Sequence, residues 1–262
     1  ASNNTAVGYQ SLFANTTGTN LTAVGWSALA SATTTGYSVA VGSYALRDTT
    51  TGRNVGVGSF AGYQTTTGTE NTFIGDSASA DNTTGSNNVA LGYSALNKNT
   101  TASNNTAVGY AALTANTTGT DSVALGMSAL QSCTTAPRAT AIGKGALADL
   151  TTGASNTAVG YNAGVHVTTL TTGHSNVLIG AYCRTSAVDA NAANVFGYDV
   201  SGEGGYTTVG NATSDIRAAH GTATWAAVSD QRYKKDIVDS EAGLSFINAL
   251  QPRTFKYKTL GE

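Results

Sequence analysis

Few side chains in this chain could take part in chemistry. It holds two cysteines, Cys133 and Cys183, and three histidines, His166, His174 and His220. Thiolates and neutral imidazoles are nucleophiles, bases or metal ligands, but a metal site needs three or four of them to converge. No His-x-His pair occurs, and the alternative of a three-histidine ring on a symmetry axis has no other support. We therefore expect exposed histidines in turns, with no metal and no cofactor.

A second group of polar side chains lies near the end of the sequence. Ser229 precedes Lys234 by five residues, with Arg232 and Lys235 beside them. Serine is a weak nucleophile until a base removes its proton, and lysine is such a base only where burial lowers its pKa. By spacing alone, a solvated polar linker is the better interpretation. The sequence contains no carboxylate pair, phosphate-binding loop or catalytic triad for an external substrate.

A 17-residue repeat organises most of the chain. A tetrad of the type Thr-Ala-Val-Gly recurs at every seventeenth position, except for one spacing of 16 and one of 20. Such regularity indicates stacked units, each a single supersecondary element. The tetrads end at Gly8, Gly25, Gly42, Gly58, Gly75, Gly92, Gly109, Gly126, Gly143, Gly160, Gly180 and Gly197, with a weaker copy at Gly210.

Each unit contains a strand, a short Ala-Leu segment and a polar turn. Residues one and three before the glycine are apolar or β-branched, as in Val39 and Val41, and the residue between them is usually small, as in Ala40. Alternation of this kind is typical of a strand. We expect a second short strand at Ala-Leu pairs such as Ala45-Leu46, followed by Asn/Gly turns.

The repeat predicts an all-β parallel solenoid with one 17-residue coil per unit. Twelve coils stacked at about 4.8 Å would extend roughly 58 Å. The glycine density and β-branching exclude a helical fold, and the regular apolar recurrence disfavours a disordered Gly/Thr linker. A single thin stack buries little surface, so we expect the small-residue strand face to pack against other chains, most simply as a trimer.

The repeat register also assigns the cysteines. Cys183 lies three residues after Gly180, at a position where other units have alanine, and is expected to be buried. Cys133 lies in a turn three coils away, roughly 14 Å along the axis by the strand spacing. A disulfide requires Cα atoms within about 7 Å, so two free thiols are expected.

The repeats resemble the heads of trimeric autotransporter adhesins. The units NTAVGYQSL, YSVAVGSYAL and NNVALGYSAL carry this likeness, which extends over about residues 3–200. The resemblance implies a left-handed β-roll that assembles as a homotrimer.

The composition changes after residue 228. Residues 229–262 are about four times denser in charged residues than the rest, and the repeat is lost. Leu244, Ile247 and Leu250 have helical spacing, Ser240 is a possible N-cap, and 254–258 alternates as a strand. We divide the chain into a solenoid shaft at 1–197, a transition segment at 198–228 and an α+β segment at 229–262.

The last segment resembles the start of the self-cleaving intramolecular chaperone of endosialidases and phage tail fibres. The family pattern opens with Ser-Asp, has a lysine five residues after the serine, and continues through Leu-x-Pro to Phe-x-Tyr. The resemblance implies that this segment is the N-terminal part of a trimerisation chaperone, with Ser229 as nucleophile, Lys234 as base and cleavage at Ser229-Asp230. The matching residues are Ser229, Asp230, Lys234, Leu250, Pro252, Phe255 and Tyr257.

Aromatic residues in the transition segment suggest recognition of a receptor. Tyr198, Tyr206, His220 and Trp225 lie among glycines near the end of the repeats. Exposed aromatic side chains could stack on sugars of a host glycan. The alternative is that they form the core of a tapering trimer.

The resulting hypothesis is a phage tail fibre or a similar receptor-binding appendage. It implies a homotrimer, assembled in the host cytoplasm, that contacts other tail proteins and a host glycan or protein receptor. The alternatives are a bacterial surface adhesin head and a self-processing enzyme with an external substrate. A net charge of −2 without a basic patch argues against nucleic acid, and no apolar run is long enough for a membrane span.

Overall fold

The computed structural model describes residues 1–212, 214–222, 224 and 226–227. The chain divides into two compact units, Ala1–Val228 and Ser229–Glu262, and all the described residues belong to the first. The helix and strand predicted between residues 239 and 258 lie outside the described residues.

The first unit is an all-β parallel solenoid of about twelve coils, most of which have the 17-residue length of the sequence repeat. Each regular coil contributes one three-residue strand that ends just before the repeat glycine. These strands are β1 (Thr5–Val7), β2 (Thr22–Val24), β3 (Val39–Val41), β4 (Val55–Val57), β5 (Thr72–Ile74), β6 (Val89–Leu91), β7 (Thr106–Val108), β8 (Val123–Leu125), β9 (Thr140–Ile142), β10 (Thr157–Val159) and β11 (Val177–Ile179).

The distal coils carry longer and less regular strands. They are β12 (Arg184–Thr185), β13 (Asn194–Tyr198), β14 (Ser201–Gly202), β15 (Tyr206–Asn211), β16 (Ser214–Ala219) and β17 (Ala226–Ala227). The main sheet runs β1 to β11 and then β13, β15, β16 and β17. Pairing is parallel and in register through β15, then antiparallel for β15–β16 and β16–β17. The sheet therefore ends in a hairpin.

The repeat glycine is required by the close approach of successive coils. Gly75 has φ +134°, and a Cβ built on it would lie 2.4 Å from the carbonyl oxygen of Gly92. Side chains are disfavoured at such positive φ, and this separation excludes even a methyl group. The glycine thus fixes the spacing of the coils as well as the corner that follows each strand.

The predicted second strand is absent from the regular coils within the described residues. The Ala-Leu segments form turns, because residues two and four after the glycine adopt left-handed backbone conformations, as at Tyr44 (φ 60°) and Leu46 (φ 47°). A strand cannot contain such residues, since extended backbone needs negative φ. Hydrogen bonds nevertheless connect the coils on this side, for example from the Leu46 N–H to the Ala61 carbonyl at 2.9 Å. In the described part of the chain, only β12 and β14 form a second pair.

The core of the solenoid lies between the two sides of each coil. The central residue of the strand is alanine in most coils and points inward, and Ala40, Ala90 and Ala124 are completely buried. Leucines such as Leu46 and Leu96 fill the space opposite. This corrects the expectation that the small-residue face meets other chains, because that face forms one wall of the narrow core. Phe73 and Leu178 are accommodated at the same position because Gly62 and Gly164 lie opposite them.

A column of buried asparagines stabilises the corner before each strand. The Asn88 N–H donates to Oδ1 of Asn71 at 2.9 Å, and Nδ2 of Asn71 donates to the Gly85 carbonyl at 2.9 Å. The same pattern links Asn105 to Asn88. Each amide satisfies backbone groups that would otherwise be buried without partners.

Candidate functional site

The residues predicted to cleave the chain are not among those that the structure describes. Ser229, Asp230 and Lys234 lie outside them, and so does Trp225. The geometry of the proposed dyad therefore stays a prediction. The candidate sites among the described residues lie on the solenoid.

The largest candidate surface is the outward face of the main sheet, here called the outer strip. It consists of the side chains one and three residues before each repeat glycine, from β1 to β15. Because the central strand residue points inward, these two positions point away from the core. The large aliphatic members that are between 36% and 57% exposed are Val7, Val39, Val41, Ile74, Val89, Leu91, Val123, Leu125, Ile142, Ile179 and Val209.

The outer strip carries no charged residue at either position in any coil. The residue before the glycine is Val, Ile, Leu or Phe in every coil, and the residue at the other position is Thr, Val or Asn. A sheet face that meets water normally alternates toward polar residues. The column next to the glycine is therefore apolar in all thirteen coils, whereas the other column is uncharged and has threonine or asparagine at eight of its thirteen positions.

Tyr198, Tyr206 and His220, predicted to contact a receptor, have different neighbours in the distal coils. Tyr198 is 55% exposed and its ring lies 5.9 Å from that of Tyr182. Tyr206 lies under the guanidinium of Arg217, at 4.9 Å from the ring centroid. Nε2 of His220 lies 3.2 Å from Oγ1 of Thr207. The structure thus does not bring these three side chains into one cluster.

A tyrosine group lies beside the longest coil, between Gly160 and Gly180. The rings of Tyr161 and Tyr182 are 5.3 Å apart and nearly perpendicular, and Tyr182 and Tyr198 repeat that geometry. His166, in the extra residues of this coil, packs on Tyr182 at 4.9 Å. Insertions in repeat proteins often mark a binding face.

Charged groups adjoin these rings. Nδ1 of His166 lies 3.3 Å from Oδ1 of Asp199, and the Arg184 guanidinium donates to the same carboxylate. Asp215 belongs to the same charged neighbourhood, and burial raises the pKa of its carboxyl group despite the attraction of Arg184. The distal coils therefore combine aromatic rings with fixed donors and acceptors.

An open groove lies across the turns of the third to fifth coils. It has a volume of about 310 Å³, with Gly36 and Gly52 on its floor and Tyr37, Arg53 and Glu70 on its walls. Most other coils carry a larger residue where Gly36 and Gly52 stand. Arg53 and Glu70 form an ion pair at 3.2 Å. Sequence reasoning missed this groove, although two adjacent coils with glycine at one turn position were a visible signal.

The cysteine prediction is confirmed. Cys133 and Cys183 are both buried and free. Burial raises the pKa of the Cys133 thiol to about 11 and raises that of Cys183 as well. Neither is an activated nucleophile, since catalytic cysteines have lowered pKa values.

Of the histidines, His166 lies beside a single carboxylate, that of Asp199. His174 is exposed in a turn, where its backbone N–H donates to the Asn191 side chain at 2.8 Å. Within the ranges that the structure describes, no group of three His, Cys, Asp or Glu side chains could hold a metal ion. The same residues contain no helix of the length and apolar character that a membrane span requires.

The comparison with protein families concerns the end of the chain. Residues 229–262 match the family model described as chaperone of endosialidase. The match begins at Ser229, the first residue of the second compact unit. No curated protein and no solved structure matches the chain. The match agrees with the resemblance of residues 229–262 to that chaperone, and the β-solenoid agrees with the fold that the repeat predicts.

Proposed function

We propose that the chain is part of a tail-fibre-like appendage, whose solenoid gives mechanical reach and whose final segment belongs to a detachable folding module. The observation that carries the proposal is the order of the two parts: a parallel β-solenoid runs directly into residues that match the endosialidase chaperone. Its expected place is the virion tail, after assembly in the host cytoplasm.

The solenoid gives a physical reason for such a module. Nearly all its hydrogen bonds between coils join residues about 17 apart, and many are repeated almost identically from coil to coil. Parallel pairing between residues far apart in sequence forms slowly. Because the coils are nearly identical, pairing a strand with the wrong coil would cost little free energy, so the correct register must be set at one end of the solenoid. A chaperone at the C-terminal end supplies that starting point.

Removal of the module is proposed to occur at Ser229-Asp230. Lys234 accepts the proton of the Ser229 hydroxyl, whose oxygen attacks the carbonyl carbon of the Ser229-Asp230 bond. The C–N bond breaks, and the proton held by Lys234 passes to the leaving amino group of Asp230. Water then hydrolyses the resulting ester, which regenerates the serine hydroxyl and leaves a free carboxyl group on Ser229. The reaction acts on the chain itself, so no external substrate is proposed.

Host recognition is the second part of the proposal. The distal coils carry Tyr198, Tyr206 and His220, and Trp225 follows them in sequence. Partly exposed rings beside fixed charged groups suit a glycan, because its apolar ring faces stack on aromatics while its hydroxyls bond to polar groups. A protein receptor is the alternative. A bacterial adhesin head would share the solenoid, but the chaperone match favours the fibre.

The test is the intact mass of the denatured full-length gene product. We expect the wild-type chain to yield a fragment that ends at Ser229, and the Ser229→Ala and Lys234→Ala variants to remain uncut. Matched controls are Ser245→Ala and Lys235→Ala, which change the same residue types outside the proposed dyad and should be cut like the wild type. An uncut wild-type chain would overturn the self-cleavage and strengthen the adhesin interpretation.

A further inference from the structure

We propose that the outer strip is the surface through which two further copies of this chain associate, parallel and in register along the solenoid. The inference rests on the proposed function in taking all the final segments to lie at one end, and it takes the number of copies, three, from the homotrimer that the sequence resemblance implies. The choice of surface rests on the strip itself.

The first argument is the extent of the strip. Thirteen parallel strands at about 4.8 Å make it roughly 60 Å long, and two columns of side chains about 7 Å apart make it about 10 Å wide. The column next to the glycine makes a continuous apolar band of about 300 Å² within it, a size at which a surface patch on a monomer is often functional. Leu91 and Leu125, 42% and 46% exposed, are residues that a strand facing water has no reason to carry.

The second argument is periodicity. The strip repeats the same two positions in every coil, with the spacing that the strand pairing imposes. A globular partner could match only a few coils, whereas another copy of the chain presents the same spacing along the whole length. Complementary packing over the full strip therefore favours self-association.

The third argument is the arrangement that closed symmetry allows. Rotation about an axis parallel to the stack, without translation, places the same residue of every copy at the same level. Each strip would then face the axis, with β-branched and leucine side chains in contact and threonines such as Thr106 between them. An axis perpendicular to the stack would instead give an antiparallel dimer, in which β1 lies against the distal strands.

Single cysteine substitutions distinguish these arrangements. Val41→Cys, Val108→Cys and Ile179→Cys place a thiol near the beginning, middle and end of the strip, whereas the native cysteines are buried and should not react. In the parallel arrangement each variant should form a disulfide with its own copy under mild oxidation. Crosslinking of Val108→Cys alone would reveal the antiparallel dimer and overturn the proposal. Thr101→Cys, exposed in a turn outside the strip, is the control and should remain uncrosslinked.

Native mass spectrometry gives the copy number. Three copies are expected for the wild type, and Leu125→Asp should yield single chains whose β circular dichroism is retained. A Lys98→Asp variant, which changes an exposed residue outside the strip, should remain trimeric. A wild-type monomer or dimer would overturn the proposal, whereas the cleavage of Ser229-Asp230 is measured separately and could still be found.

Discussion

Cys133 interrupts a second column of buried amides on the inner side of the turns. In the preceding coils Nδ2 of Asn116 donates to Oδ1 of Asn99 at 3.2 Å, and Asn99 donates to Asn82. Cys133 follows Asn116 by one coil and retains only a weak contact from Sγ to the Ala136 carbonyl at 3.7 Å. The thiol is therefore desolvated without a strong compensating partner, which explains its raised pKa.

This pKa predicts a dependence of stability on pH. An unfolded cysteine ionises near pH 9, whereas the folded thiol ionises at about 11. The unfolded state therefore loses its proton first, so the stability that the thiol contributes is full below pH 9 and is lost progressively up to pH 11. Between about pH 8 and about pH 10 the free energy of unfolding should fall by about 1.4 kcal/mol more than in a Cys133→Asn variant.

Urea unfolding at both pH values measures this difference. Asparagine is the matched replacement, because it restores the residue type of the two preceding coils and its Nδ2 could donate to Asn116. Other groups that titrate in this range, such as Cys183, are common to both proteins and cancel. Equal pH dependence in the two proteins would contradict the desolvation argument.

For single residues, the sequence predicted the role of Cys183 but not that of the buried asparagines. The position of Cys183 after Gly180 sufficed to predict a small buried residue, because the repeat aligned it with alanines. The buried asparagine column was not predicted, although asparagine recurs four residues before the glycine, as at Asn71 and Asn88. Asparagine is common in exposed turns, and only the stacked geometry shows which amides face inward.

Among the elements, the strand was predicted correctly and the Ala-Leu segment was not. The strand has little conformational freedom, because its three alternating residues end in a glycine that must closely approach the glycine of the next coil, as Gly75 approaches Gly92. The Ala-Leu pairs have the composition of a strand, but Leu46 and its equivalents adopt left-handed backbone at a cost of about 1 kcal/mol or more each. Burial of the leucine against the core offsets that cost, which single-residue propensities do not reveal.

The close approach at the repeat glycine gives a prediction for one element. Gly75→Ala should reduce the free energy of unfolding by roughly 3 kcal/mol or more, because a strained dihedral is combined with a clash against backbone that cannot move alone. Gly205→Ala is the matched control, since Gly205 also has positive φ (+78°) but no atom within 4 Å of its built Cβ. It should cost only about 1 to 2 kcal/mol.

Chemical denaturation followed by far-ultraviolet circular dichroism compares the two variants. If both lost the same stability, the dihedral angle alone would explain the glycine and the close approach would be unimportant. If Gly75→Ala were neutral, the coils would have room to separate locally, and the glycine would not set their spacing.

For the solenoid as a whole, the sequence predicted the architecture because every coil repeats the same short strand, the same glycine corner and the same apolar core positions. The orientation of the faces was not predicted, since alternation alone does not say which of two faces points inward. The decision comes from volume: a 17-residue coil is too narrow for Leu91 or Leu125 opposite another leucine, so the alanine face turns inward and the outer strip is left exposed.

The same repetition predicts that a whole coil can be removed. Deletion of residues 93–109 joins Gly92 to Tyr110 and removes one 17-residue coil. The Ser122 N–H, which now donates to Asn105 Oδ1 at 3.0 Å, would meet Asn88 in the same geometry. Because each coil contacts mainly its neighbours, the shortened chain should fold, unfold cooperatively and be shorter by about 4.8 Å in X-ray scattering.

Deletion of residues 93–100 alone is the control, because it removes about half a coil and brings turn residues against strand residues. This variant should lose most of its β circular dichroism, whereas the whole-coil deletion should retain it. Equal damage in both would mean that particular coils depend on distant ones, and the nearest-neighbour description would fail. Tolerance of the whole-coil deletion would instead show that the length of the solenoid can change by whole coils while the outer strip keeps its register.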